Sequence, residues 1–292
     1  MRLDPGALSV LSKLREAGFR ALLAGGCVRD MLMGIEPKDW DIATDAAPEQ
    51  VEGLFSRTLP VGAHFGISVV ILEQGQYEVA RFRRDGPYTD GRHPDRVEPA
   101  DERADAQRRD FTINGLFYDP FQNEIIDYVG GRGDIERGLV RTIGDPHARF
   151  SEDYLRHLRC VRFASRFDFS IAESTHMALS TLAGGIGSIA AERVEEELTR
   201  MLTDPGAVRG LELMMESGLL SAILPEVARL RGVEQPPEFH PEGDVWTHSL
   251  LVMGQLDNPA PELAWAALLH DIGKEPTFEV RDRIRFNRHD VV

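Results

Sequence analysis

Apolar residues recur at helical spacing over Ala7–Ala17 and then close into a run at Phe19–Ala24, predicting an opening helix followed by a buried strand. After Gly25-Gly26 a short helix is expected from Val28, and a second strand should carry Asp39-Trp40-Asp41-Ile42. Pro48–Phe55 reads as a helix, and Gly66–Leu72 and Tyr77–Arg83 read as strands paired around Gln74-Gly75. From Arg84 to Gln107 the pattern dissolves into polar sequence with Pro and Gly, which predicts a long loop of the kind that usually carries function or is disordered. Beyond Asp145-Pro146 the helical period dominates: Glu152–Phe167, Ala172–Leu182, Ala190–Leu202, Ala207–Ser217, Trp246–Asp257 and Pro261–Leu269. Gly232–Gly243, with three prolines, reads as a connector. The expected fold class is α+β: a small mixed-sheet head over residues 1–143, then an all-helical neck over 144–205 and a helical body over 206–292.

At 292 residues and 42% hydrophobic, the chain has the material for two or three domains with real cores. No apolar run reaches the ~18 residues of a membrane span, and Met1-Arg2-Leu3-Asp4-Pro5 has no apolar signal region, so a cytoplasmic protein without a membrane partner is expected. Cys27 and Cys160 are the two cysteines, which argues against a disulfide framework. A net charge of −15 excludes a globally basic nucleic-acid binder. Placement changes the picture: of the 33 basic residues only Lys13, Lys38 and Lys274 are lysines, and arginine suits planar contacts to phosphates and base edges.

Three clusters carry candidate chemistry. Gly25-Gly26-Cys27-Val28-Arg29-Asp30 places two glycines in a turn where backbone amides can approach a phosphate. Asp39 and Asp41, two apart on a strand, share one face and offer the oxygen donors that a nucleotide-bound Mg²⁺ requires. That pairing points to nucleotidyl transfer. Arg108-Arg109-Asp110-Phe111-Thr112-Ile113-Asn114 supplies charged groups suited to a triphosphate and a ribose, and reads equally as a helix start with a dipole-favoured Asp. In the third cluster Ser151 is a good N-cap, with Glu152 and Asp153 in a first helical turn. Arg156, Arg159, Arg162 and Arg166 then fall within roughly 120° of arc. Such a stripe lacks i+4 acids of its own and makes sense against an anion or base edge; Asp153 with Arg156 offers paired acceptor and donor groups for a nucleobase.

Four segments in order resemble the class II tRNA nucleotidyltransferase and bacterial poly(A) polymerase family over roughly residues 18 to 230. They are Gly-Gly-x-Val-Arg-Asp (25–30) with Asp-x-Asp (39–41), Arg-Arg-Asp-Phe-Thr-x-Asn (108–114), Glu-Asp-x-x-Arg-x-x-Arg (152–159) and Glu-Arg-x-x-x-Glu-Leu (192–198). The resemblance implies a nucleotidyltransferase head followed by helical neck and body. It implies that Asp39 and Asp41 hold catalytic Mg²⁺ ions, that Gly26 and Arg29 meet the triphosphate, and that Arg109 and Asp110 meet the phosphates and ribose. Asp153 and Arg156 would template CTP or ATP, with Arg159 and Arg162 supporting that pocket and Glu192, Arg193 and Glu197 stiffening the neck. The implied reaction is addition of the 3′-terminal CCA to tRNA without a nucleic-acid template. In the family a flexible loop before Arg-Arg-Asp switches the pocket from C to A, and Arg84 through Pro94 resembles the intact form. Full CCA addition is therefore the leading expectation, with A-only or poly(A) polymerase-like transfer as alternatives.

A last signal lies in the body. His248 is followed 22 residues later by His270-Asp271, which resembles the HD phosphohydrolase motif, a histidine and carboxylate set able to hold a water-activating metal. That motif needs a further downstream Asp, and Asp290 stands two residues before the last one given. A truncated or incomplete HD-like region is expected, with a metal-dependent phosphohydrolase as the further alternative function.

Overall fold

In the computed structural model, residues 3–59, 66–88 and 94–291 are described. The chain divides into two compact units, Met1–Glu152 and Asp153–Val292.

The first unit is built on a seven-stranded sheet: β1 (Ala21–Ala24), β2 (Ile42–Thr44), β3 (Thr58–Leu59), β4 (Ile67–Leu72), β5 (Gly75–Arg81), β6 (Leu116–Asp119) and β7 (Glu124–Asp127), in spatial order β3-β4-β5-β2-β1-β6-β7. The β2–β5 pair is parallel, with Ile42 opposite Val79, and the other pairs are antiparallel. β1 is apolar throughout because it is covered on both faces. Ala21 and Leu23 join one core with Val10, Leu11 and Leu14, whereas Leu22 and Ala24 join another with Phe82, Ala106 and Phe117. The opening helix, Pro5–Glu16, starts at Asp4, whose carboxylate accepts from the Ala7 amide at 2.8 Å and from the Tyr77 hydroxyl at 2.6 Å.

Two expectations for this unit are corrected. The second strand begins at Ile42, so Asp39 and Asp41 lie in the approach to it. The stretch 84–107 is not one loop. A small hairpin pairs Arg83–Asp85 with Val97–Pro99, and the helix Glu102–Arg108 follows, capped by Asp101 onto the Ala104 amide at 2.8 Å. The hairpin buries no side chain fully and the helix buries only Ala104, Asp105 and Ala106, so neither leaves a hydrophobic period to read. Residues 89–93 of the expected specificity loop lie outside the described residues.

The second unit is mainly helical, with Leu155–Arg166, Glu173–Thr181, Ala191–Leu202, Ala207–Glu216, Val245–Gly254 and Pro261–Leu269 as its longer helices. Here too the expectation needs correction. The helix proposed over Glu152–Phe167 is broken: Pro146–Glu152 ends the first unit and Ser151 is interior to it, not a cap. Asp153 stands between the helices and accepts from the Leu155 amide at 3.0 Å, a local bond that competes with continuous helix. The body is also not wholly helical, because Phe278–Val280 and Ile284–Phe286 form a hairpin. Among the described residues, no helix is long and apolar enough to cross a membrane.

Candidate nucleotide site and histidine cluster

In the head, the chain leaves β1 at Gly25, whose φ of +72° suits glycine and whose amide donates to Leu116 O at 2.9 Å. Gly26 then opens the helix Gly26–Leu32. A Cβ at Gly25 would stand 2.7 Å from Nη1 of Arg109. The turn is therefore bare because an arginine lies directly on it.

Asp41 comes next to the same place. The Ala24 amide donates to Asp41 O at 3.0 Å, extending the β1–β2 ladder by one residue. The parallel register of Ile42 with Val79 puts Asp41 beside Glu78 one step earlier. Between Asp39 and Asp41, Trp40 packs against the core while both carboxylates are exposed. An open cleft of 230 Å³ is lined by Asp41, Glu78, Arg83, Arg108 and Arg109 among others. Although Asp41 keeps a solvent-exposed face, loss of hydration against the cleft wall raises its pKa, with Arg109 opposing the rise and Asp39 adding to it. Glu78, exposed on its strand, is raised by loss of hydration in the cleft and then by Asp41, against Arg83 and Arg109. Asp41 and Glu78 thus each oppose the other's charge, a strain a divalent cation between them would relieve; with Asp39 they do not form a group whose ligand atoms all lie within 4.8 Å of one another among the described residues. Glu78 was not singled out from the sequence. The signal lay in the alternation of β5, where Tyr77 and Val79 are buried and Glu78 is exposed.

The arginines and Asp110 are organised from the next segment. Arg109 donates to Asp105 Oδ2 through Nε and Nη2 at 3.2 and 3.0 Å, and through Nη1 to Asn114 O at 3.3 Å. Burial opposes ionisation of Asp105, but Arg109 and Arg108 outweigh it and hold its carboxyl low. Asp110 is buried, accepting from the Phe111 amide at 2.7 Å and from Asn114 Nδ2 at 3.1 Å. Arg29 is only 5% exposed; it donates to Asp30 Oδ1 at 2.8 and 2.6 Å and to Asn114 Oδ1 at 2.6 Å. Arg29 and Asp110 thus meet through Asn114, beneath the glycine turn. This ties the first two motifs together and gives Arg29 bracing bonds where open phosphate contact was expected.

In the second unit, Asp153 accepts from Arg193 Nη2 at 3.1 Å and from the Leu155 amide at 3.0 Å, two residues ahead of the helix carrying Arg156, Arg159, Arg162 and Arg166. Arg156 is buried and Arg159 partly so. The stripe has no i+4 acids of its own, as expected, but it does not need an outside anion throughout: Glu197, from Ala191–Leu202, receives Arg162 Nε at 2.5 Å and lies 3.6 Å from Arg159 Nη1. The neutralising acid comes from another helix, where i+4 reasoning does not look.

The histidines also meet. His248, His270 and Asp271 present donor atoms within 4.8 Å of one another, and so do His240, Glu242 and His248. Asp271 Oδ2 lies 3.0 Å from His270 Nε2 and 2.8 Å from Lys274 Nζ. Glu242 Oε1 lies 2.7 Å from His248 Nδ1 and 3.0 Å from His240 Nδ1. His240 and Glu242, on the Pro-rich connector, were missed because nothing in the spacing marks them. The structure places Asp271 next to Lys274, and no downstream Asp joins either group among the described residues.

A mixed sheet that brings a glycine turn, clustered carboxylates and arginines to the end of β1, followed by a helical unit, defines a nucleotidyltransferase-type protein. Residues 21–141 match the poly A polymerase head domain and residues 168–230 match the probable RNA and SrmB-binding site of polymerase A. The chain is 38% identical over 268 residues to a CCA-adding enzyme of Geobacillus thermodenitrificans, covering 91% of this chain and 63% of the relative. A crystal structure of the Bacillus stearothermophilus CCA-adding enzyme in complex with CTP superposes with a TM-score of 0.76 at 34% identity, covering 94% of this chain and 64% of that one. A tRNA nucleotidyltransferase complexed with a primer tRNA and an incoming ATP analog aligns with a TM-score of 0.63 at 26% identity, covering 84% and 74%. The chain belongs to the tRNA nucleotidyltransferase and poly(A) polymerase family. It spans between 53% and 63% of the length of the curated relatives it matches.

Proposed function

We propose that this protein transfers nucleotides from CTP and ATP to the 3′ end of tRNA, building the CCA terminus and releasing pyrophosphate, with Mg²⁺ as the metal. The observation that carries this reading is the meeting of Asp41, Glu78 and Arg109 in one cleft at the Gly25-Gly26 turn. The named relatives add CCA, and the solved neighbours bind CTP, an ATP analog and a primer tRNA.

In the reaction, the oxygen of the primer's 3′-hydroxyl gives up its proton to solvent and forms a bond to the α-phosphorus of the incoming nucleotide. The bond from that phosphorus to the bridging oxygen breaks, and pyrophosphate leaves. Asp39, Asp41 and Glu78 would hold the divalent cations, which supply charge neutralisation at the attacking and leaving oxygens. The amides at Gly25-Gly26 and the guanidinium of Arg109 orient the triphosphate, while Asp110 meets the ribose. Arg29 keeps the turn and Asn114 in place. No covalent protein intermediate is needed; positioning and charge carry the rate. Asp153 and Arg156 read the base edge, and Arg159 and Arg162 hold their helix in register. In this reading residues 1–143 are the head, 144–205 the neck and 206–292 the body, and the protein works in the cytoplasm. The test is incorporation of labelled CTP and ATP into tRNA lacking its 3′ end by the wild type and by Asp39→Ala and Asp41→Ala. Loss of labelling in both variants with retained circular dichroism supports the reading, and near-normal labelling defeats it.

The donor atoms of His248, His270 and Asp271 favour a second reading, a divalent-metal site of phosphohydrolase type in the body. His240 and Glu242 extend the set, and Lys274 competes with a cation for Asp271. Metal content of the purified protein, measured with and without His248→Ala plus His270→Ala, tests it. Unchanged content would end it.

A further inference from the structure

The bonds of Arg149 converge on the main chain that carries Arg109 and Asp110. Arg149 sits in the short helix Pro146–Glu152, within the first unit. The chain enters that helix through Gly144, whose φ is +79°, and Asp145 starts it by accepting from the Ala148 amide at 2.8 Å. Phe150, fully buried, pins the helix down. The Arg149 side chain beside it is only 16% exposed.

Arg149 Nε donates to Ile143 O at 3.0 Å and Nη2 to Gln107 O at 3.0 Å. Nη1 donates to Arg108 O at 3.2 Å and to Glu152 Oε2 at 3.0 Å. Gln107 and Arg108 end the helix Glu102–Arg108, where carbonyls lack partners inside the helix and form the negative end of its dipole. A guanidinium there satisfies them and offsets that charge. The next residue is Arg109. The third carbonyl belongs to Ile143, whose own amide donates to Asp110 O at 3.0 Å. Phe111 bridges to Thr142, and the Thr112 amide donates to Arg141 O at 2.9 Å in the same strip. One side chain thus holds the main chain just before Arg109 and the strip that holds Asp110. Asp105 and Asn114 aim the Arg109 guanidinium, and Arg149 sets where its main chain stands. Three carbonyls approached from one side chain require a planar fork; the ammonium of a lysine is a single point on a flexible stem.

We propose that Arg149 is a positioning residue for the nucleotide. It acts through Arg109 and Asp110, and so sets the approach of triphosphate and ribose equally for CTP and ATP. The inference rests on the function proposed above and extends it to a side chain outside the four motifs.

Two measurements on the full chain test it: calorimetric binding of CTP and ATP without tRNA, and steady-state incorporation into tRNA lacking its 3′ end. Arg149→Ala is expected to weaken binding of both nucleotides about tenfold and by the same factor, the order of one displaced charged contact. KM should rise with it while kcat stays within about twofold. Arg149→Lys should weaken binding about threefold, and it carries the test if circular dichroism shows that Arg149→Ala does not fold. Adding Arg149→Ala to Arg109→Ala should weaken binding less than about twofold beyond Arg109→Ala alone, because one effect runs through the other. Wild-type affinity in Arg149→Lys, effects of Arg109 and Arg149 that multiply, or a fall in kcat with KM unchanged overturns the inference. A wild type that binds both nucleotides and incorporates neither defeats the transferase reading while the binding arm still decides the role of Arg149. Failure of the wild type to bind either nucleotide overturns both.

Discussion

Arg109 lies so close over Gly25 that a single methyl at the glycine would come within 2.7 Å of its Nη1. The turn and the arginine therefore act as one surface, and each fixes how near a phosphate can come to the other.

Gly25→Ala should uncouple them. Alanine at a φ of +72° is strained by roughly 1 kcal/mol, and its Cβ displaces Arg109 from Asn114 O. Nucleotide incorporation is expected to fall at least tenfold, mainly through KM for the nucleotide, while Gly18→Ala, with open space around its Cβ, leaves KM unchanged. Equal KM values in wild type and Gly25→Ala would count against the turn as a phosphate cradle.

The raised carboxyls predict a stability effect opposite to the activity effect. A carboxyl whose pKa is raised on folding contributes stability that is present below its unfolded pKa and lost as pH rises through the folded value. Glu78 is such a group, raised by loss of hydration and by Asp41. Glu78→Gln should therefore raise the melting temperature at neutral pH in EDTA, and the gain should vanish once the pH falls below the ordinary carboxylate range. Incorporation should be lost in the same variant. A lower melting temperature at pH 7 would contradict the crowding of Asp41 and Glu78.

Glu197 tests the arginine stripe. Its pair with Arg162 is buried on both sides, at 4% and 6% exposure. Removing one partner of such a pair leaves an uncompensated charge and costs ~3–5 kcal/mol. Glu197→Ala should destabilise the second unit by that order in urea unfolding, whereas Arg200→Ala, exposed, should cost under ~1 kcal/mol. Similar effects would deny the pair its place in the core.

Asp153 and Arg156 bear on which nucleotide is chosen. Substituting either should alter the CTP-to-ATP incorporation ratio more than total incorporation, read from parallel single-nucleotide assays. An unchanged ratio would remove the templating role. Because Asp153 also accepts from the Leu155 amide and from Arg193, Asp153→Asn is the informative variant, since its amide oxygen can still accept from that backbone amide.

Much of this was legible in the sequence, and the limits have physical causes. β1 could be read because burial on both faces leaves an unbroken apolar run, and the paired strands β4 and β5 because their turn residues stand out. The glycine turn, Asp41 and Arg109 were readable as motifs, and the fold brings them to one cleft. Glu78 was not, since its place beside Asp41 depends on the parallel register that sets Ile42 against Val79, 37 residues further along the chain, which no local pattern encodes. Glu197 was read as stiffening the neck, but its pairing with Arg162 escaped for the same reason: it comes from another helix. The hairpin at 278–286 escaped because its strands are three residues each and neither is buried. The break at Asp153 was hidden by a sequence that suits a helix on both sides of it.

The most direct measurement supplies CTP and ATP separately to tRNAs ending before, within and after the CC step. The account predicts that CTP alone extends the first two, that ATP alone extends the third, and that Asp41→Ala extends none. Extension of all three tRNAs by either nucleotide, or undiminished extension by Asp41→Ala, would contradict it.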